Sequence, residues 1–342
     1  LYIAPLLSFI ITLFATSDSQ VSATLFSVCS SVDTKGVIES GIETRFPYHL
    51  LQASKIVEKS GNFDLIHNNY SDSFLFTTFS SWIKCPTVTT VHNGFWQFPH
   101  LRKILEQTRR QGKDMVIFTS KRAQELAGNP KDSLVIYNGV NHQKYLLGKG
   151  EQNYILWLSR IVEKKGTREA IQLALQSKEK LILCGDKPVR SEHQEYYDHF
   201  VKPYLSGVIQ RIDSPKIFQE KVSLYQGAKA FLFPIQWEEP FGLVMIEAMS
   251  CGTPVIAYNR GSVAEVVIDG VTGFIVDPDD EDRPGKGSWI VKKQGIEGLI
   301  EAVGKIDQID RKACRKHVED NFTVEKMVDG YEEVYKQILD IR

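Results

Sequence analysis

The chain has 342 residues, 42% of them apolar, which is enough for about two domains at roughly 150 residues each. Charged residues make up 24%, and 41 Lys and Arg against 42 Asp and Glu leave a net charge of −1. That balance argues against a disordered chain and against a partner held by bulk charge, such as duplex DNA or an anionic membrane; an anionic small molecule needs only a few placed cations.

Residues 1–4 read as a short buried strand and residues 9–14 as another, with only 5–8 between them. The apolar run 5–15 is broken by Ser8 and Thr12. It is too short to span a bilayer and has no basic residues before it. Further strands are expected at 64–67, 87–91, 115–118 and 134–136, with helical patterns at 49–59, 101–111 and 121–126. Short apolar runs alternating with helices predict a parallel sheet covered on both faces. Asn138-Gly139 marks a turn and 148–153 a linker. A second series follows, with strands at 154–158, 181–184, 230–233, 254–257 and 274–276. Two such units imply a cleft, and ligands of these sheets bind outside the carboxyl ends of the strands. In residues 323–342, Met327, Tyr331, Val334 and Ile338 recur at helical spacing, so the segment reads as an amphipathic, core-packing helix.

The densest chemistry lies at Trp237-Glu238-Glu239-Pro240-Phe241-Gly242-Leu243-Val244-Met245-Ile246-Glu247-Ala248-Met249. A helix starting at Phe241 or Gly242 and running to Ser250 would aim free N–H groups above the strand end. Gly242 would let a phosphate or sugar hydroxyl approach that backbone. Glu239 falls in the loop and Glu247 on the helix among apolar neighbours, where a carboxylate needs a specific partner.

A second block is Ser159-Arg160-Ile161-Val162-Glu163-Lys164-Lys165-Gly166, directly after an expected strand. Arg160 and Lys165 can reach one anionic group, the first by a bidentate fork and the second as a point charge. Lys164 reads as a solvated charge. His92, at the end of the strand 87–91, can serve as a hydrogen-bonding group near a reaction or as a satisfied structural histidine, and the residues leave both readings open.

Weaker signals resolve toward structure. Asp277-Pro278-Asp279 reads as a turn rather than a cation site. Arg102, Lys103, Arg109, Arg110 and Lys113 make one helix basic; a solvated face is the reading, with peripheral contact to a lipid surface left without support. Cys29, Cys85, Cys184, Cys251 and Cys314 are odd in number and widely spaced, which argues against disulfides and for a cytoplasmic protein. No G-x-G-x-x-G, P-loop or G-x-S-x-G motif occurs, so dehydrogenase, P-loop kinase and α/β-hydrolase readings lose their key residues.

The run Glu239-x7-Glu247, within Glu-Pro-Phe-Gly-Leu-Val-Met-Ile-Glu-Ala-Met, resembles the signature of the retaining glycosyltransferases of family 4. The likeness continues through Cys251-Gly252-Thr253-Pro254-Val255-Ile256, Gly261-Ser262-Val263-Ala264-Glu265-Val266-Val267 and Asp269-Gly270-Val271-Thr272-Gly273-Phe274. The Arg160 to Gly166 block resembles the family's Arg-x4-Lys-Gly element. The likeness is weak before residue 60 and strong over 228–277.

The resemblance implies an α/β protein of the GT-B fold, two Rossmann-like parallel-sheet domains facing a central cleft. The domains would be 1–147 on the acceptor side, 148–322 for the nucleotide sugar, and a helix at 323–342 crossing back. Carried over, Arg160 and Lys165 would hold the diphosphate and Glu247 the ribose hydroxyls. Glu239 and the backbone of Phe241, Gly242 and Leu243 would hold the donor sugar. His92 would lie beside the reacting sugar, in a catalytic role with Glu239. The expected reaction moves a hexose, UDP-glucose-like in preference to GDP-mannose, to a hydroxyl acceptor with retention. It would need no metal and no cofactor beyond the nucleotide sugar as co-substrate. The acceptor, whether small molecule, glycan or lipid, is not written in these residues.

One departure stands out. The family places a Gly-rich loop and a long helix where 5–8 stands here, and two parallel strands need a crossover of a dozen or more residues. Either residues 1–4 are not a parallel neighbour of the next strand or a segment near Leu7 is missing, and the second is the expectation. A GT-B protein that binds a nucleotide sugar without transferring it is the alternative function; an epimerase or phosphorylase is disfavoured by the intact Glu239 and Glu247 pair and by the lack of a cofactor-lysine motif.

Overall fold

The computed structural model describes residues 12–14, 24–27, 42–69, 76–94, 99–151, 153–205, 207–279 and 287–340. The expected strand at 1–4, the junction at 5–8 and Cys29 lie outside them. The chain divides into two compact units: one runs up to Ile136 and resumes at Met327, the other is Tyr137–Lys326.

In the first unit, β1 (Thr12–Phe14) and β2 (Thr24–Phe26) pair in parallel. A four-stranded parallel sheet follows in chain order: β3 (Ile66–Asn68), β4 (Thr87–Val91), β5 (Asp114–Phe118) and β6 (Ser133–Val135). Every residue of β4 is buried, as a central strand covered on both faces requires. The helix Ile42–Lys59 begins before the expected residue 49 and contains Pro47, which removes one main-chain donor and gives the sequence a false break.

The helix Val324–Leu339 packs Val334 against Val88, Ile117 and Ile136, with Met327, Tyr331, Tyr335 and Ile338 around them. A buried polar knot joins it to the sheet. His67 Nε2 pairs with Thr90 Oγ1 at 2.7 Å, Tyr331 OH lies 3.0 Å from that oxygen, and His67 Nδ1 pairs with Tyr335 OH. Burial pushes the His67 pKa down to about 3.

The basic helix differs from its expected solvated character. Arg102 donates to the Leu126 carbonyl, Arg109 to those of Lys131 and Asp132, and Arg110 to those of Ile83 and Cys85 and to Asp114. The helix itself is Pro99–Thr108, which stops short of the expected residue 111, so Arg109, Arg110 and Lys113 follow it. Three of the five cations satisfy main-chain carbonyls of the same unit, which a charge count cannot reveal.

In the second unit the parallel strands are β7 (Ile155–Leu158), β8 (Leu181–Cys184), β9 (Ile209–Ile212), β10 (Ala230–Phe233), β11 (Val255–Tyr258) and β12 (Gly273–Val276). Their order is β12-β11-β10-β7-β8-β9. Chain order reverses between β7 and β10, so the carboxyl ends of these two strands open a crevice. The core is near-continuous apolar burial across β7, β10, β11 and β12.

The unit boundary falls after Ile136, earlier than the expected 147. The reason is local. Val140 N donates to Phe322 O (2.9 Å), Val324 N to Val140 O (3.2 Å), and Gly148 N to Cys251 O (2.9 Å). Arg311 adds bonds to the carbonyls of Gly148, Ala228, Gln226 and Cys251 and to Thr253 Oγ1. Residues 137–148 are thus stitched to the second unit.

Candidate active site

The crevice side of β7 continues into a turn, Glu163–Lys165, closed by Gly166 at φ +72°. A Cβ at Gly166 would stand 1.9 Å from the Pro234 carbonyl oxygen, so only glycine fits. Gln236 N donates to Lys164 O (2.9 Å), and the Trp157 indole N–H to Lys165 O (3.0 Å). These bonds lock the lysine turn against the segment that follows β10.

That segment carries Glu239. Its Oε2 accepts from Lys165 Nζ at 2.5 Å and from Trp237 Nε1 at 2.7 Å. Its Oε1 takes no hydrogen bond among the described residues. The backbone of Glu239 rests on Gly261, where a Cβ would fall 2.1 Å from the Glu239 carbonyl oxygen. Ser262 N donates to that same oxygen at 3.1 Å, and Gly261 N donates to Glu238 Oε2 at 3.0 Å.

The helix Leu243–Ser250 starts after Gly242, at φ +76°, and no side chain caps it. An uncapped helix start carries a partial positive charge that favours an anion; of its first N–H groups, that of Met245 donates to Gly242 O at 3.0 Å. A Cβ on Gly242 would approach the Met245 methyl (2.8 Å) and the Phe233 ring (3.2 Å). Phe241 is buried, its ring packed with those of Tyr137 (centroids 6.1 Å apart) and Phe322 (5.8 Å), so it can offer a ligand only backbone.

Glu247 lies further along the helix and is partnered within the protein. Tyr145 OH (3.0 Å) and Lys221 Nζ (2.7 Å) donate to Oε1, and Tyr225 OH donates to Oε2 (2.9 Å). Burial, then the Glu247 charge, pushes both tyrosine hydroxyls well above their usual pKa, so they stay protonated donors. With three donors on about four lone-pair sites, one site stays open to a further donor.

The cations form a group. Lys164 Nζ sits over the Trp237 ring at 4.3 Å and Lys165 Nζ at 5.3 Å. Burial, then the charges of Arg160 and Lys165, lowers the Lys164 pKa. Lys164, expected as a plain solvated charge, therefore shares the field of Arg160 and Lys165. Two lysines over one indole ring, with Glu239 as the ion-pair partner of Lys165, make a place that favours an anion.

His92 belongs to the first unit, at the end of β4, and its Nε2 donates to Asn69 Oδ1 at 3.1 Å. The surrounding protein desolvates the ring and lowers its pKa, so the neutral form prevails near pH 7. Asp277 is a structural acceptor. Its side chain takes bonds from Asn259, Trp289 and the Gly287 N–H, so it ties distant segments of the second unit together.

Lys165 and Glu239 are thus brought into contact, three residues before the site helix begins after Gly242. Trp237, Lys221, Tyr145, Tyr225 and Asn69 escaped the sequence reading. Trp237 stood inside the motif and could have been flagged; the others meet their partners across long sequence separations and carry no pattern.

Two family models match adjoining stretches that together span residues 12–286. Glycosyltransferase Family 4 matches residues 12–144, and Glycosyl transferases group 1 matches residues 141–286. The chain belongs with the family 4-like glycosyltransferases. It is 26% identical over 303 residues to an uncharacterised glycosyltransferase of Methanocaldococcus jannaschii, covering 85% of this chain and 81% of that one. It is 24% identical to N-acetyl-alpha-D-glucosaminyl L-malate synthase of Bacillus anthracis, covering 86% and 80%. Among solved structures, Anabaena HepE in complex with UDP-glucose superposes with a TM-score of 0.73 at 17% identity, over 95% of this chain and 99% of that one. Sucrose-phosphate synthase from Thermosynechococcus elongatus gives 0.74 at 18% identity, over 98% and 90%. The fold of this family member is GT-B, two parallel α/β units. Among its described residues no helix is long and apolar enough to cross a membrane.

Proposed function

We propose that this glycosyltransferase moves a hexose from a nucleotide diphosphate sugar to a hydroxyl acceptor, with retention and without a metal. The observation that carries the reading is the meeting of Lys165, Glu239 and an uncapped helix start at the carboxyl ends of β7 and β10. Departure of the nucleoside diphosphate concentrates negative charge on phosphate and leaves an oxocarbenium-like sugar. Arg160, Lys165 and the helix N–H groups stabilise that charge from fixed positions. Glu239 Oε1 and the backbone of Phe241, Gly242 and Leu243 hold the sugar hydroxyls. The open lone pair of Glu247 takes a ribose hydroxyl. In this reading the departing phosphate takes the acceptor's proton on the face it leaves, so no separate base is required.

The donor preference is UDP-glucose or a close relative over GDP-mannose. It follows the motif resemblance and accords with HepE, a protein of the same fold known with UDP-glucose. A cytoplasmic setting belongs to the same reading, supported by four buried, unpaired cysteines among the described residues.

Thermal shifts with UDP, GDP and ADP, then hydrolysis of the matching sugar nucleotides, test the proposal. Stabilisation by UDP and slow release of glucose from UDP-glucose are expected. Stabilisation with no turnover across broad acceptors would instead establish a binding protein of this fold; no stabilisation by any nucleotide would overturn the donor site.

A further inference from the structure

We propose that Trp237 is a positioning residue that holds Glu239 in its working orientation while Lys165 changes partner. This rests on the donor-site reading above. Two donors meet on one oxygen of Glu239, the Lys165 ammonium at 2.5 Å and the Trp237 indole N–H at 2.7 Å, and they leave Oε1 open. A diphosphate is a stronger counterion for Lys165 than a single carboxylate, so a bound donor draws the ammonium toward phosphate. Glu239 then loses one of its two restraints. The indole N–H is a neutral donor, drawn to a diphosphate far less than an ammonium is, so it stays on Oε2 and keeps Oε1 aimed.

Tryptophan suits the place for a second reason. Its ring lies under Lys164 (4.3 Å) and Lys165 (5.3 Å), so one side chain braces both the cations and the carboxylate. Its own backbone is set by neighbours. Gln236 is tied to Lys164 O, and the Gln236 side chain bonds back to the Pro234 carbonyl at 2.9 Å. The other tryptophan near this turn, Trp157, spends its N–H on Lys165 O and cannot replace it.

The test uses Trp237→Phe, which keeps a ring and removes the N–H, alone and combined with Glu239→Gln. With UDP-glucose, kcat is expected to fall about tenfold, with UDP affinity unchanged within about twofold. Adding Trp237→Phe to Glu239→Gln is expected to cost little more, because one acts through the other. Unchanged kcat in Trp237→Phe, or losses that multiply in the double variant, would overturn the proposal. A second readout does not depend on turnover. The indole 1H–15N resonance of Trp237, assigned by its loss in Trp237→Phe, is expected to shift in Glu239→Gln and to persist, still hydrogen-bonded, when UDP is added. An indole resonance indifferent to Glu239→Gln would refute the contact, whereas a carboxylate-dependent resonance without turnover of any sugar nucleotide would uphold the contact and sink the transferase reading instead.

Discussion

The Lys165 ammonium rests 2.5 Å from Oε2 of Glu239, with both side chains mostly shielded from solvent. The cation proposed to bind phosphate is therefore already neutralised by the carboxylate proposed to bind sugar. The two halves of a donor do not bind independently in such a site. Phosphate must first compete with Glu239 for Lys165.

This competition has a counterintuitive consequence. Glu239→Gln removes the resident counterion but keeps the shape, so Lys165 is free for the incoming anion. Nucleoside diphosphate affinity should rise about three- to tenfold while turnover of the sugar nucleotide falls. Calorimetric titration of UDP into both proteins measures the first, and donor hydrolysis the second. Weaker UDP binding in Glu239→Gln would show that Glu239 does not compete with phosphate. In the same titration, Lys165→Ala should lose diphosphate affinity.

Glu247 has three protein donors, so its removal should damage both the fold and the ligand site. Glu247→Ala strands the Lys221 charge and two tyrosine hydroxyls and should cost about 2–3 kcal/mol in urea unfolding. It should also weaken nucleotide binding about tenfold if the fourth lone pair serves ribose. Tyr225→Phe separates the two effects. It removes one hydrogen bond to a charged group, for about 1.5 kcal/mol, and should leave nucleotide affinity alone. Equal nucleotide affinity in wild type and Glu247→Ala would limit Glu247 to a structural role.

The parallel-sheet architecture was legible because buried strands such as β4, β10 and β11 are unbroken apolar runs between helices. β9 was not, since Ile209–Ile212 mixes Gln210 and Arg211 into a strand that, among the described residues, pairs with β8 alone. β2 is a three-residue strand, too short for a pattern. At the site, Lys165, Glu239 and Gly242 were legible because each lies in a contiguous motif at a strand end. The Glu247 partners were not. Tyr145 arrives from a segment whose place in the second unit is fixed by main-chain bonds at Val140 and Gly148, and nothing in a linear reading announces such bonds.

Gly261 is predicted to be as demanding as the charged residues. Its φ is +56°, and a Cβ would lie 2.1 Å from the carbonyl oxygen and 2.4 Å from the nitrogen of Glu239. Gly261→Ala must therefore push the Glu239 backbone away, combining a left-handed strain with a backbone clash. A loss of about 2–4 kcal/mol is expected, together with reduced turnover. Gly112 is the control. Its φ is +74° with nothing within 4 Å of a new Cβ, so Gly112→Ala pays the conformational strain alone, about 1 kcal/mol, and should leave turnover intact. Urea midpoints and donor hydrolysis on the two variants check the ranking. Equal losses would mean that the Glu239 loop yields freely.

His67 sets the last expectation, a pH dependence of the first unit. Its pKa is about 3 in the fold, depressed by burial, against about 6.5 in an unfolded chain. Between those values the unfolded state binds the proton and the folded state does not, so stability rises with pH across that window. The contribution is fully present above about pH 6.5 and is lost as pH falls toward 3. From pH 7 to pH 5 this one group should remove about 2 kcal/mol. His67→Gln keeps a polar side chain between Thr90 and Tyr335 but cannot titrate. Its urea midpoint should change less with pH over that range than the wild-type midpoint does, whatever its starting stability. Parallel pH slopes for the two proteins would mean that His67 gains its proton without opening the Thr90, Tyr331 and Tyr335 knot, and that the terminal helix is held by its apolar face alone.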